Sequence, residues 1–262
     1  MHILIGIFTF LSGIFFADFQ FAGSVEVAGN VHRTDPMGNV YVVNDNNLVK
    51  YDATRCLSAD YTNPHLGRIH SIDVSDPLRI LLYFRDHNQI LWLDNYLSEI
   101  RSPLFLDELG MDQALLVCAS SQGGFWVFDG LTAELKYFNA QLQIVHQSMS
   151  LNVIMDPDIP PVFMMEKNRQ VFLNVPGTGI LVFDRFGNHS KTLPAEVPGT
   201  FQVTDQKLYY FNGETLQSHD LRYGENEIVE IPDTGEIVHA ELQPESLYLF
   251  TKSAYRVYKI SR

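Results

Sequence analysis

Short hydrophobic runs alternate with polar turns along nearly the whole chain, and helical periodicity is almost absent. The runs are rich in Val, Ile, Leu, Tyr and Phe and are separated by Gly, Asn, Asp and Pro, a pattern typical of β-strands joined by tight turns. Residues 38–52, GNVYVVNDNNLVKYD, show the unit: a β run, a polar turn and a second β run that ends in Asp. The pattern predicts an all-β fold.

The same unit recurs through the chain. Further copies occupy residues 79–94, 124–139, 170–184, 207–220 and 246–260, the last without a closing Asp or Asn. The closing residues Asp52, Asp94, Asn139, Asp184 and Asp220 are 42, 45, 45 and 36 residues apart. These intervals fit a four-stranded propeller blade, which needs roughly 40 to 50 residues. We therefore predict an all-β, six-bladed β-propeller with four-stranded antiparallel blades.

One further β run precedes each copy, and we predict that these runs are the innermost strands. They occupy residues 31–34, 69–74, 114–119, 162–165, 200–204 and 237–242. The sixth copy is followed by no residues for an outermost strand, whereas residues 19–27, FQFAGSVEV, form a spare run before the first. Because natural sheets avoid unpaired edges, we expect this N-terminal strand to complete the last blade and close the ring.

The N-terminus has the pattern of an export signal. Residues 3–16 form an apolar stretch of 14 residues, which suits a signal peptide and is too short to span a bilayer as a helix. The preceding Met1 and His2 lack the usual positive charge, and a buried first strand is the alternative. We predict a signal peptide over residues 1–17, a single propeller domain over residues 18–262, no transmembrane segment in the mature chain, and a periplasmic or extracellular location.

The repeat resembles known propeller families. Residues 38–52 resemble a blade of the NHL, YWTD or TolB-like six-bladed propellers. The stretches ILLYFRDHNQILWLDNYLS (residues 80–98) and GILVFDRFGN (residues 179–188) resemble small exported propeller proteins of Bacteroidetes-type bacteria. The second resemblance covers most of the chain. It implies the fold and export, but its motifs are structural and imply no activity.

Charge and cysteine content narrow the functional classes. With 18 Lys and Arg against 31 Asp and Glu, the net charge is -13, which disfavours DNA and RNA as partners.

Cys56 and Cys118 fall in different predicted blades, so we expect no disulfide, and we expect Cys118 to be an inert buried thiol. The chain contains no G-x-S-x-G nucleophile motif. We read the closing Asp and Asn residues as turn-forming residues rather than calcium ligands.

Three histidines are candidate metal ligands. His32, His70 and His239 each follow a β-branched residue early in a predicted innermost strand, in blades one, two and six. Those blades are neighbours in the ring, and imidazoles that converge on the central channel could bind a divalent metal, as three-histidine zinc sites do. Packing between blades is the alternative for all three residues.

Two functional hypotheses follow. The first is an exported, non-enzymatic binding or scaffold module, monomeric and without a cofactor, which engages a protein partner in the cell envelope. It rests on the lack of a nucleophile motif, a cofactor motif and convincing paired carboxylates. The alternative is a metal-dependent hydrolase or lactonase-like propeller with a site at the channel mouth. Because one fold hosts many functions, the fold alone does not decide between them.

The signal peptide gives a direct prediction. Exported protein should begin near Asp18, because signal peptidase cleaves after small residues such as Ala17. N-terminal sequencing and intact-mass measurement of the exported protein test this, and a mature protein that retains Met1 would contradict it.

Overall fold

The computed structural model describes residues 18–232 and 235–261. Their strands form six four-stranded antiparallel sheets, so the protein is an all-β, six-bladed propeller. The predicted signal peptide, residues 1–17, lies outside the described residues. No helix in the described ranges is long and apolar enough to cross a membrane.

Each of blades 1 to 5 runs from an innermost to an outermost strand in chain order. Blade 6 contains the last three strands and the first. From the channel outwards, blade 1 contains β2 (Val31–Thr34), β3 (Val40–Asn44), β4 (Asn47–Tyr51) and β5 (Leu57–Thr62), and blade 2 contains β6 (Ser71–Asp73), β7 (Ile80–Phe84), β8 (Gln89–Leu93) and β9 (Leu104–Phe105). Blade 3 contains β10 (Ala114–Ala119), β11 (Phe125–Asp129), β12 (Glu134–Phe138) and β13 (Ile144–Gln147), and blade 4 contains β14 (Phe163–Lys167), β15 (Gln170–Val175), β16 (Gly179–Phe183) and β17 (His189–Leu193). Blade 5 contains β18 (Gln202–Val203), β19 (Lys207–Phe211), β20 (Leu216–Asp220) and β21 (Asn226–Val229), and blade 6 contains β22 (Ile237–Gln243), β23 (Ser246–Thr251), β24 (Ala254–Ser261) and β1 (Asp18–Glu26). Short 3-10 helices span Pro64–Leu66, Arg85–His87, Asp107–Leu109 and Leu151–Val153.

The ring closes as the sequence predicts. Strand β1 pairs antiparallel with β24, from Asp18 opposite Ser261 to Glu26 opposite Ala254, and so forms the outer strand of blade 6. The pairing is interrupted by a bulge at Gly23, whose φ of 149° is accessible mainly to glycine. The prediction that the N-terminal strand completes the last blade is therefore confirmed, and we call β1 the clasp.

The middle strands of each blade are buried on both faces, which explains their continuous apolar sequences. In β11, Trp126 and Phe128 pack into a core shared with blade 4, whereas Phe125 and Val127 pack into a core shared with blade 2. Side chains alternate between the two faces of a strand. Each blade is thus held by an apolar core on either side, and the outermost strands, which have one face in solvent, carry the polar residues.

The turn between the third and fourth strands recurs around the ring. In blade 1, Oδ1 of Asp52 accepts hydrogen bonds from the backbone N–H groups of Thr54 (2.8 Å) and Cys56 (3.0 Å). Arg55 donates its N–H to the Asp52 carbonyl and has a φ of 71°. Equivalent side-chain bonds form at Asp94, Asn139 and Asp184. The closing residues therefore form Asx turns, as the sequence indicates.

Two innermost strands are shorter than predicted. Blade 2 forms ladder pairs only over Ser71–Asp73, because the N–H of Ile69 bonds to Asp45 of blade 1 instead. Blade 5 has only Gln202–Val203, and the segment before it contains Pro198 and Gly199, which weaken strand pairing.

Polar side chains cross between blades to reach backbone groups on the innermost strands. Oδ2 of Asp73 in blade 2 accepts the N–H of Ala119 in blade 3 (2.9 Å). Oε1 of Gln202 in blade 5 accepts the N–H of Leu242 in blade 6 (2.7 Å). The innermost strands have no strand neighbour on the channel side, so these N–H groups would otherwise lack a protein partner.

Glu166 makes a related link between blades 4 and 3. Its Oε1 accepts the N–H (3.0 Å) and hydroxyl (2.6 Å) of Ser121, and its Oε2 accepts the indole N–H of Trp126 (2.9 Å). The carboxylate is buried, so these bonds compensate the loss of its hydration.

Both cysteines are free, as predicted. Cys56 is exposed near the outside of blade 1, whereas Cys118 is fully buried in β10. Burial raises the pKa of the Cys118 thiol well above its usual value, so this thiol is unreactive.

The clasp should dominate stability. A chain that begins at Gly29 is expected to aggregate, or to unfold far below the melting temperature of a chain that begins at Asp18. The shorter chain leaves the edge of β24 unpaired and loses the packing of Phe19 and Val25 against two cores. Burial of such a side chain contributes roughly 1.5 to 3 kcal/mol, against roughly 5 to 15 kcal/mol for a whole domain. Thermal unfolding followed by circular dichroism measures the difference.

The matched control is Phe21→Ala in the longer chain. The Phe21 side chain is 58% exposed on the same strand, so its loss should lower the melting temperature much less. Equal melting temperatures for the two chain lengths would show that β1 does not stabilise the ring.

Candidate functional site

The innermost strands of all six blades surround a cavity of about 1230 Å³ on the axis of the ring. Because β18 is so short, Tyr209 and Phe211 of the next strand also line the cavity. Small-molecule pockets usually have volumes of roughly 300 to 1,000 Å³. The cavity is therefore large enough for a small ligand or for a short segment of another chain.

A buried carboxylate joins blade 6 to blade 1 in the wall of this cavity. Glu241 on β22 accepts hydrogen bonds at Oε2 from the backbone N–H of Thr34 and from its hydroxyl, the latter at 2.6 Å. Its Oε1 lies 3.0 Å from Nε2 of His239 and 3.7 Å from Nη1 of Arg33. All these residues come from the two innermost strands that flank the closure of the ring.

Opposing effects set the charge of Glu241. Burial raises the pKa of this carboxyl, but the hydrogen bond and charge of His239, the charge of Arg33 and the hydrogen bond from Thr34 lower it by more. The net pKa is below the ordinary value of 4.5. Glu241 is therefore an ionised acceptor at neutral pH.

His32 and His239 lie together beside this carboxylate. Both rings stack on Phe250, with centroid distances of 4.8 Å for His32 and 5.7 Å for His239. Burial and the nearby His239 lower the pKa of His32 to about 4, so His32 is neutral at pH 7. Its Nε2 is buried and has no hydrogen-bond partner in the part of the chain that the structure describes. The stacking places His32 in the packing between blades.

His70 lies apart from that pair. Its ring packs edge-on against Tyr83 at 5.8 Å, and partial loss of hydration together with the charge of Arg85 lowers its pKa. Within residues 18–232 and 235–261, no three His, Cys, Asp or Glu side chains form a group that could hold a metal ion. The structure thus brings together two of the three predicted histidines, and the nearby Glu241 already accepts hydrogen bonds at both oxygens. A divalent metal in the channel stays a prediction.

Arg33 extends from blade 1 towards the opposite side of the channel. Its Nη1 donates to the carbonyl of His32 at 2.8 Å, and its guanidinium carbon lies 5.1 Å from the ring centroid of Phe163 on blade 4. Burial lowers the pKa of Arg33, whereas Glu241 and Asp73 raise it. Arginine keeps its charge under such conditions, so the cavity wall contains a largely buried cation.

The sequence matches no protein-family model and no curated protein, but many solved structures share its fold. BamB from Moraxella catarrhalis has a TM-score of 0.53 and 8% identity, with 93% of this chain and 100% of that chain covered. A catalytically inactive histidine-to-alanine variant of virginiamycin B lyase from Staphylococcus aureus, solved with quinupristin, has a TM-score of 0.59 and 13% identity, with 88% and 80% covered. A chain of the mitotic checkpoint complex has a TM-score of 0.64 and 7% identity, with 99% and 100% covered. At these identities the likeness shows the propeller fold alone.

The sequence pattern points to His32 and His239 but not to the neighbouring residues of the same cluster. The missed residues are Arg33, Thr34 and Glu241. A partial signal existed, because Glu241 follows His239 by two residues and Thr34 follows His32 by two, so each pair shares one face of its strand. The sequence did not show how β2 and β22 face each other, since these strands come from opposite ends of the chain and do not pair.

The Glu241 cluster gives a pH-dependent prediction. Glu241→Gln should lower stability at pH 7 by roughly 1 to 3 kcal/mol, the usual cost of weakening hydrogen bonds to a buried group. The folded-state pKa of Glu241 is depressed. Its contribution is therefore present above about pH 4.5 and is lost as the pH falls through the folded-state pKa. The variant should show a shallower loss of melting temperature on acidification than the natural protein.

Glu245→Gln is the matched control, because Glu245 is an exposed glutamate four residues further along. Thermal unfolding between pH 7 and pH 3 compares the three proteins. A Glu241 variant with the natural melting temperature and the natural pH profile would contradict the role of this cluster in closing the ring.

Proposed function

We propose that this protein is an exported, non-enzymatic binding module that holds a protein partner of the cell envelope at its central channel. The observation that supports this most strongly is the cavity on the ring axis, with Arg33 and several aromatic rings in its wall. Acidic groups of the wall are hydrogen-bonded between blades, and side chains fixed in this way favour recognition by shape and hydrogen bonding.

Two further features favour a protein partner. The net charge of -13 disfavours nucleic acid. One structural neighbour is a chain of the mitotic checkpoint complex, so this fold serves in a multi-protein assembly there. The apolar stretch in residues 3–16 supports export, which would place the partner in the periplasm or outside the cell.

Site-specific cross-linking in intact cells tests the proposal. A photoreactive amino acid at Lys252, an exposed residue that lines the cavity, should attach one defined protein. The same amino acid at Tyr223, which is 69% exposed in the outer turn of blade 5, is the matched control and should not. Mass spectrometry identifies the product. No product at Lys252, or the same product at both sites, would contradict binding at the channel, and a product of two copies of this chain would contradict a monomer.

The second candidate function is a metal-dependent hydrolase or lactonase-like enzyme. Its specific support is the pair of His239 and Glu241, because a carboxylate that holds an imidazole is a frequent arrangement in acid–base catalysis. In the virginiamycin B lyase neighbour, replacing one histidine gives a catalytically inactive protein. Metal analysis of purified protein discriminates: a stoichiometric divalent metal that is lost on His32→Ala favours the enzyme, and metal-free protein favours the binding module.

A further inference from the structure

Arg33 has two donor nitrogens that no described residue uses. Its Nη1 donates to the carbonyl of His32 and is also the nitrogen that lies nearest Glu241. Its Nε and Nη2 donate to no described residue, and neither nitrogen is sealed from the cavity that Arg33 lines. The N–H groups of Nε and Nη2 point in parallel from one edge of the guanidinium group, and this spacing matches the two oxygens of a carboxylate.

The neighbouring carboxylates balance the charge of Arg33 without occupying this edge. Glu241 and Asp73 are the two acidic groups whose charges act on Arg33. Both oxygens of each already accept hydrogen bonds from other groups. They therefore keep Arg33 protonated inside the wall and leave its free edge open to a ligand.

Aromatic side chains lie close to the guanidinium group of Arg33. Phe163 lies under the guanidinium group, and the ring of Phe201 packs edge-on against Phe163 with centroids 5.0 Å apart. Tyr209 and Phe211 continue this aromatic wall towards blade 5. A group that binds Arg33 would therefore have apolar surface directly beside its charged end, and such mixed surfaces are typical of ligand pockets.

The overall charge further restricts the ligand. A net charge of -13 repels anions at long range, which disfavours polyanions such as phosphorylated chains. A single carboxylate loses less from this repulsion and gains two charge-assisted hydrogen bonds at short range.

We propose that the central cavity binds a single carboxylate, held by Nε and Nη2 of Arg33, whose adjoining aromatic or large apolar group packs along Phe163 and Phe201. This inference rests on the proposed function, since it names the chemistry that the channel recognises in its partner. The carboxylate is either the C-terminus of a partner chain or a free small acid, and both present the same group to Arg33.

Paired probes test the proposal by calorimetry on the mature protein. The probes are 3-phenylpropionate and an acetylated Gly-Gly-Phe peptide with a free C-terminal carboxylate, each compared with its own amide. Each acid should bind at least about tenfold more tightly than its amide, which lacks the charge and one of the two acceptors. Tighter binding of the peptide assigns the carboxylate to a partner's C-terminus, and tighter binding of 3-phenylpropionate assigns it to a free small acid.

Variants of Arg33 separate recognition from folding. Arg33→Lys keeps the positive charge but loses the two parallel donors, so it should lose most of the preference for acid over amide. Arg33→Gln should lose the preference altogether. Arg68→Gln is the control, because the Arg68 side chain is 70% exposed, and it should bind as the natural protein does. Melting temperatures identify any variant that fails to fold. If Arg33→Gln does not fold, the comparison of Arg33→Lys with the natural protein decides the test.

Three results would overturn the proposal: equal binding of acids and amides, natural binding by Arg33→Lys, or no binding of either acid at millimolar concentration. Cross-linking at Lys252 distinguishes this failure from failure of the proposed function. If a protein is cross-linked at Lys252 but neither acid binds, the proposed binding function is supported and the carboxylate site is contradicted. If the acids bind through Arg33 but no protein is cross-linked at Lys252, the carboxylate site is supported and the protein partner is contradicted.

Discussion

The unpaired inner edge of each blade is the constraint on which the rest of the structure depends. A propeller blade has no strand neighbour on the channel side, yet its backbone N–H groups need partners there. Asp73, Gln202 and Glu241 supply them by reaching from one blade to the backbone of the next. In a partly buried wall such bonds are stronger than in water, and leaving them unmade is costly. The same side chains therefore hold the ring together and line its axis.

This structural use of acidic groups determines the chemistry that remains in the channel. Glu241 has both oxygens occupied, and His32 is neutral and stacked on Phe250. Among the residues described here, Arg33 is a wall residue that keeps free donors in the cavity while its charge is already balanced. The carboxylate oxygens of the wall are thus used between blades, and the guanidinium group of Arg33 is the group on which the proposed ligand site rests.

The sequence predicts the fold well because each blade repeats one local rule. A β run, a polar turn and a second β run that leads into an Asx turn need only neighbouring residues. Asp52 and Asp184 therefore mark the turn before the outermost strand of their blades without knowledge of the tertiary structure. The clasp by β1 was predictable because the last blade has only three strands from the end of the chain and needs a fourth. The cluster of Arg33, Thr34 and Glu241 was not, because it depends on how β2 and β22, which lie in different blades and do not pair with each other, face each other across the channel wall.

That cluster lies at the point where the two ends of the chain meet. The seam between blade 6 and blade 1 is closed inside by the bonds from Thr34 to Glu241, and blade 6 is completed outside by β1. Arg33 borders the same seam, so its position in the cavity exists only when the ring is closed. Anything that binds there stabilises the closed ring over the open chain by mass action. Binding of the proposed carboxylate at the axis would therefore be thermodynamically coupled to closure of the ring, although β1 and Arg33 occupy opposite edges of the fold.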